Sequence, residues 1–311
     1  MIEGQDGVTW EGWCALADAC ERSGVEGLFR SDHWTSGPDE PGSLDAWTTL
    51  AGLAARTERI RLGTMVSPVT FRHPSLLAKA AVTVDHISGG RVEIGLGGGW
   101  MEAEHHAYGF SFPPLSERLE HLAEQAEIVH RLLTEDEVRF EGRHYQIDGA
   151  RGEPPPVQRP RPPIIIGGSA RRGTLDPAVR FADEYDTTNV DPAEAGRRRA
   201  RVRKACERAG RDPDSMRFTV MTACVVASDR GELLERARRV IERVGDDRDP
   251  AAYLAERRDR TLVGTVEEVR ARLGEYAEAG VDGVYLQHLA WDDVEMVELI
   301  GAELVGRVAG A

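Results

Sequence analysis

IRLGTMVSPVTFRHPSLLAKAAVTVDHISGGRVEIGLGGG, residues 60–99, reads as a strand, a helix and a second strand. Ile60-Arg61-Leu62-Gly63-Thr64-Met65-Val66 is a compact apolar run of strand length, and residues 73–87 carry Leu76, Leu77, Ala80, Ala81 and Val84 on one helical face. Residues 91–96 form the next strand, which runs into Gly97-Gly98-Gly99-Trp100. Two strands separated by a helix of this length pair in parallel through a right-handed crossover.

The same unit recurs outward in both directions. Upstream lie a helix over residues 9–23 with Trp10, Trp13, Cys14, Leu16, Ala17 and Cys20, the strand Gly27-Leu28-Phe29-Arg30, and a helix over 45–56. Downstream come helix 114–134, strand 164–166, helix 175–182, strand 186–190, helix 192–209, strand 216–227, helix 231–244, helix 266–279, strand 283–288 and helix 292–305. About eight such units close a sheet into an α/β (β/α)8 TIM barrel. Met1-Ile2-Glu3 must then serve as the first strand, either as a stub or as a strand that starts before residue 1. Two stretches interrupt the alternation within one domain spanning 1–311. Residues 135–163, with a Glu141-Gly142 turn and Pro154-Pro155-Pro156, read as a hairpin insertion before the fifth strand; residues 245–261 read as a charged, irregular and mobile flap.

With 39 basic and 53 acidic residues, a formal charge of −14 excludes binding to a phosphate backbone as the main activity. Arg197-Arg198-Arg199 and Arg236-Ala237-Arg238-Arg239 alternate with acids and read as solvated helix faces. No apolar run approaches the ~20 residues of a membrane span. Cys14, Cys20, Cys206 and Cys224 form no CxxC pair, and no export signal opens the chain, so a cytoplasmic protein is expected.

Barrels of this kind carry their chemistry on loops after the strand C-termini. Here those loops deliver Ser31-Asp32-His33-Trp34, Ser67-Pro68, Gly97-Gly98-Gly99-Trp100, Gly167-Gly168-Ser169, Asn189, Cys224 and Gln287-His288. Gly167-Gly168-Ser169, with Arg171 and Arg172 following, suits a phosphate as well as it suits a tight turn. Gly97 to Gly99 either let a flat ring lie against the backbone, with Trp100 as a wall, or form a strand-to-helix turn; Trp100 where a sixth-position glycine belongs rules out a Rossmann fingerprint. His33 titrates near neutrality and can act as general acid or base, tuned by a carboxylate such as Asp32. Ser67 and Cys224 have no adjacent base, so covalent catalysis is not expected. Glu102, Glu104, His105 and His106 lack a further ligand at a known spacing, so they read as a solvated loop and no metal is expected.

Several of these stretches together resemble the bacterial luciferase-like monooxygenase superfamily of flavin and deazaflavin oxidoreductases. The carriers are Ser31 to Trp34, Leu62 to Val66 with Arg72-His73-Pro74, Asp85-His86-Ile87-Ser88-Gly89-Gly90-Arg91, Gly95 to Glu104, Pro163 to Ser169 and Ala182-Asp183. Ser31-Asp32-His33 and Leu262-Val263-Gly264-Thr265 are most similar to the branch that uses coenzyme F420, a 5-deazaflavin, in place of FMN. The resemblance implies a non-prolyl cis peptide at Met65-Val66 against the central ring of the cofactor. It also implies Asp32 and His33 near the reacting carbon, Gly97, Gly98 and Gly99 beneath the ring, and Gly167, Gly168 and Ser169 at the phosphate. His33 becomes the proton-transfer residue, with Glu102 and Glu104 more remote candidates, and Trp34 and Trp100 line the substrate pocket. Trp100 stands where relatives that oxidise a sugar phosphate carry a glutamate, which argues against that substrate. The implied activity is hydride transfer between F420 and a small organic substrate, in a homodimer whose cofactor is reduced by a separate reductase or dehydrogenase. The alternatives are an FMN-dependent two-component monooxygenase and a non-catalytic flavin-binding protein.

Overall fold

A computed structural model describes residues 1–37 and 39–307. The parallel strands β1 (Gly27–Arg30), β2 (Arg61–Thr64), β3 (Ser67–Pro68) and β4 (Val92–Gly97) lead, past the hairpin β5 (Glu137–Glu141) and β6 (Gln146–Arg151), to β7 (Ile164–Gly167), β8 (Glu184–Thr188) and β9 (Arg217–Ala227). Then follow β10 (Leu262–Thr265) and β11 (Gly283–His288). β9 is long enough to hold β11 along Thr219–Cys224 and β10 along Cys224–Ala227.

Met1 to Glu3 closes the ring. Ile2 donates to Phe29 O and accepts from Ser31 N, while the Met1 ammonium donates to Leu286 O and Met1 O accepts from His288 N. The short N-terminal segment is therefore wedged between β1 and β11, and the fold is the expected TIM barrel.

The helices form the outer ring: α1 (Trp10–Ser23), α2 (Ala46–Arg56), α3 (Pro74–Ser88), α4 (Glu102–Tyr108), α5 (Leu115–Thr134), α6 (Arg172–Phe181), α7 (Pro192–Arg208), α8 (Arg230–Arg243), α9 (Pro250–Arg257), α10 (Val266–Glu278) and α11 (Val294–Glu303). Their starts follow the side chains that can satisfy free backbone N–H groups: Thr9, Asp45, Asp191 and Asp229 each accept from the first turn. Three expectations need correction. Leu76 is 60% exposed, because α3 buries Leu77, Ala81 and Val84 and turns Leu76 outward. The stretch 245–261 is not irregular throughout: α9 folds within it and seats Tyr253 at 1% exposure against α8 and β9. Residues 102–108 are a helix, not a solvated loop, with Glu104 and His105 fully inside.

Inside the barrel two layers stack. Near the strand starts lie Glu93, Glu184, Asp186, Thr219 and Tyr285; above them Phe29, Met65, Ile165 and Met221 pack together as an apolar layer. The mouth, with every loop collected from the sequence, opens above that second layer.

Candidate active site

His33 follows β1 and is mostly buried. Its Nδ1 lies 2.6 Å from Glu104 Oε1, and the other oxygen of Glu104 accepts the backbone N–H of Trp34 at 2.9 Å. Burial alone would push the imidazolium down. The hydrogen bond to Glu104 and the negative field of Glu104, Glu3 and Asp32 outweigh it, so His33 holds its proton above the ordinary histidine range. Among the described residues Nε2 has no hydrogen-bond partner. The carboxylate that chiefly tunes His33 is thus Glu104, brought in by α4, with its sequence neighbour Asp32 a lesser contributor.

Asp32 has another task. Its Oδ2 accepts from Ser67 Oγ at 2.6 Å and from Arg72 at 2.5 Å, and Arg72 reaches on to Asp45 at the start of α2. Ser67 also accepts from Trp47 Nε1 at 3.0 Å, which makes its hydroxyl a member of this network and no nucleophile. Oδ1 of Asp32 and Nε1 of Trp34 are both buried without a partner among the described residues. Trp34 forms an aromatic wall with Phe71, Tyr108 and Phe110, at centroid distances of 5.5, 4.8 and 4.9 Å. Trp100 sits edge-on to His33 at 5.5 Å and is 69% exposed. His105 is structural: Nδ1 meets Met101 O and Nε2 meets Thr70 Oγ1, while Glu102 pairs outward with His106. The four residues 102, 104, 105 and 106 therefore do not converge on one point.

The Met65-Val66 peptide is cis, as expected. Val66 projects across the mouth, and a Cβ on Gly97 would meet its Cγ2 at 2.4 Å; Cβ atoms on Gly95 and Gly167 would meet its Cγ1 at 3.0 and 3.2 Å. The glycines that end β4 and β7 thus make room for Val66. Gly99 is needed for its φ of +74°, and Gly98 has only Leu119 nearby. Gly168 lies under the Tyr185 hydroxyl, 2.6 Å from where its Cβ would be; that hydroxyl accepts from Ala170 N and contacts Thr174 Oγ1. Ala170 takes a left-handed φ of 54°, and α6 starts just beyond with no side-chain cap on its N-terminus. Exposed Ser169 stands at that open helix end.

Two groups at the mouth escaped the sequence reading. Glu3 receives Gln287 Nε2 at 2.5 Å and Gln5 Nε2 at 2.8 Å, joining the first and last strands. Asp6 is pushed up to about 6 by burial and by Glu3. A three-residue strand stub hid both. The signal for Glu104 was available in Gly109, a C-cap glycine with φ +75° that marks the end of α4. His288 and Cys224 are buried, with His288 lowered to about 4 and Cys224 raised to about 12 by desolvation; neither offers chemistry to the mouth.

Known proteins share this fold. A monooxygenase from Streptomyces bottropensis superposes with a TM-score of 0.81 at 24% identity, covering 98% of each chain. A coenzyme F420-dependent tetrahydromethanopterin reductase from Methanopyrus kandleri superposes at 0.80 and 20% identity, covering 99% of this chain and 98% of that one. An F420-dependent secondary alcohol dehydrogenase, solved with an F420–acetone adduct, superposes at 0.81 and 18% identity over 98% of both. At these identities the likeness establishes the barrel. The family model described as luciferase-like monooxygenase matches residues 3–283, nearly all of the described barrel, and the chain belongs to that family.

Proposed function

We propose that the chain is an F420-dependent oxidoreductase that passes a hydride between the deazaflavin and a small, partly apolar organic substrate. The observation that carries this reading is the His33–Glu104 pair at the barrel mouth. The residues fit such a cofactor. The uncapped start of α6 beside Gly167, Gly168 and Ser169 suits its phosphate. Met65-Val66, seated on Gly97 and Gly167, offers a surface for its ring beside Gly98 and Gly99, and Asp32 Oδ1 and Trp34 Nε1 are buried polar atoms in want of partners.

A deazaflavin, when bound, supplies two electrons as hydride and reacts poorly with oxygen. His33, which holds its proton above the ordinary histidine range, donates the accompanying proton from Nε2 to the substrate atom that receives the electron pair, so hydride and proton together saturate a carbon–carbon or carbon–heteroatom double bond. Glu104 keeps the resulting imidazole oriented through Nδ1. Trp34 and Trp100 flank the substrate. A separate reductase or dehydrogenase would supply the reduced cofactor. Leu76 and Ile87, 60% and 43% exposed on α3, offer an apolar face for a homodimer, and four free thiols suit the cytoplasm.

Likeness to a monooxygenase supports a second reading, FMN-dependent oxygenation with flavin reduced by a partner. Incubation without oxygen, with reduced F420 and a panel of enones, imines and ketones, separates the two. Substrate-dependent return of the oxidised deazaflavin absorbance is expected. In a parallel aerobic incubation, oxygen uptake that requires reduced FMN would overturn the proposal, and binding with no turnover across the panel would favour a non-catalytic flavin-binding protein.

A further inference from the structure

Away from the mouth, α5 and the hairpin bring together a set of side chains that the redox reading leaves unused. Glu117 and His121 are one helical turn apart, on the same face of α5. His144 comes from the turn between β5 and β6. One donor atom from each of the three lies within 4.8 Å of the others. We propose that Glu117, His121 and His144 form a site for a borderline divalent cation such as Zn2+, which fastens the hairpin to α5.

The geometry suits an ion better than a salt bridge. His121 Nε2 and Glu117 Oε1 are 4.0 Å apart, too far for a hydrogen bond. Two ligands held at ~2.1 Å from a shared tetrahedral ion stand about 3.4 Å apart, so a closure of roughly half an ångström brings this pair onto one ion. The two imidazoles are stacked, with centroids 4.0 Å apart and planes at 28°, so small rotations aim both rings at one point. The atoms behind them are the kind that orient metal-bound histidine: Tyr145 Oη lies 3.1 Å from His121 Nδ1, and Glu120 Oε2 lies 3.0 Å from His144 Nε2.

The turn is also in place before any ion arrives. Glu124, one turn further along α5, accepts the backbone N–H groups of Arg143, His144 and Tyr145 at 2.8, 3.0 and 3.0 Å. Two imidazoles and a carboxylate select Zn2+, Co2+ or Ni2+ over Mg2+ or Ca2+, which favour oxygen ligands throughout. A fourth position is left for water.

The location links this site to the mouth. Next to Glu117, Arg118 donates to Gly98 O at 3.0 Å, and Leu119 packs beside Gly98 and takes the space a side chain on Gly173 would need. An ion on Glu117 and His121 therefore stiffens the helical turn that supports both the β4 loop and the start of α6.

The test uses the untagged full chain stripped with EDTA, titrated with Zn2+ by calorimetry and with Co2+ by absorption spectroscopy. One ion per chain with micromolar or tighter affinity is expected, together with cobalt bands typical of mixed nitrogen and oxygen ligation. His144→Ala and His121→Ala should each weaken binding by about 100-fold, the upper end of what losing even an outer partner costs. His144→Gln keeps the turn filled should the alanine variant misfold, and His106→Ala, at an exposed histidine elsewhere, should bind as the parent does. No saturable uptake by the parent chain, or uptake undiminished in the His121→Ala/His144→Gln double variant, overturns the proposal.

Discussion

At the scale of single residues, the chemistry rests on one imidazole and the carboxylate behind it. Because His33 is raised above its ordinary value, it keeps its proton past the ordinary histidine range and loses it as pH rises through that raised value. Turnover should therefore fall on the alkaline side of the profile. Stability from the His33–Glu104 pair follows the same sign: it is full below the unfolded histidine value of ~6.5 and fades as pH passes the folded one. Glu104→Gln removes the charge that holds the proton, so the alkaline limb should move to lower pH, which a kcat profile reads directly. His33→Ala should cut turnover by ~10²–10⁴-fold and leave cofactor affinity unchanged. His33 was legible in the sequence because it ends a strand at the catalytic end of a barrel. Glu104 was not, since its partnership spans 71 positions. Asp32 drew attention by adjacency, yet successive residues of an extended chain point to opposite sides, and its carboxylate turns toward Arg72 and Ser67.

Among the elements, the motif residues that signal the family serve mostly as connections between neighbours. Arg91 donates to the carbonyls of Ala54, Thr57 and Ile60, binding the end of α2 to the start of β4. Asp85, fully buried, accepts Val157 N, Gln158 N and Gln158 Nε2, and so pins the Pro-rich stretch that leads to β7. Asp85→Ala should cost about 3 kcal/mol or more by leaving buried N–H groups unpaired, measurable by denaturant unfolding. The glycines of β4 and β7 show how a local pattern can carry two meanings. In the sequence Gly97 suggests clearance for a ring and Gly167 a phosphate site or a tight turn, and the side chain that takes the space of both is Val66. Gly97→Ala should destabilise by ~1–3 kcal/mol, and adding Val66→Ala should recover much of the loss. Strand and helix identities were readable from periodicity almost throughout. A seven-residue helix such as α4 is too short to show a period, and the outward turn of Leu76 depends on neighbours that a single helix cannot specify.

For the molecule as a whole, the barrel closes on three residues, and its interior changes from charged to apolar to catalytic along the axis. Glu184 and Asp186 lie in the charged layer, both raised by burial, with Tyr285 donating to Glu184 at 2.7 Å. Folded protein thus holds protons that the unfolded chain releases above ~4, so these acids lower stability as pH climbs through their folded values. Asp186→Asn should leave the melting temperature little changed at pH 5 and raise it at pH 8. None of this layering was visible in the sequence, because closure of the whole sheet, and no single strand, decides which side chains meet inside the barrel. The barrel itself and the end where its chemistry gathers were visible, and the choice of cofactor is where the account is most exposed. Titrating the purified protein separately with oxidised F420 and with FMN, followed by fluorescence, tests it most directly: saturable quenching of F420 at micromolar concentrations with much weaker FMN binding is predicted, and saturable binding of FMN with none of F420 would contradict it.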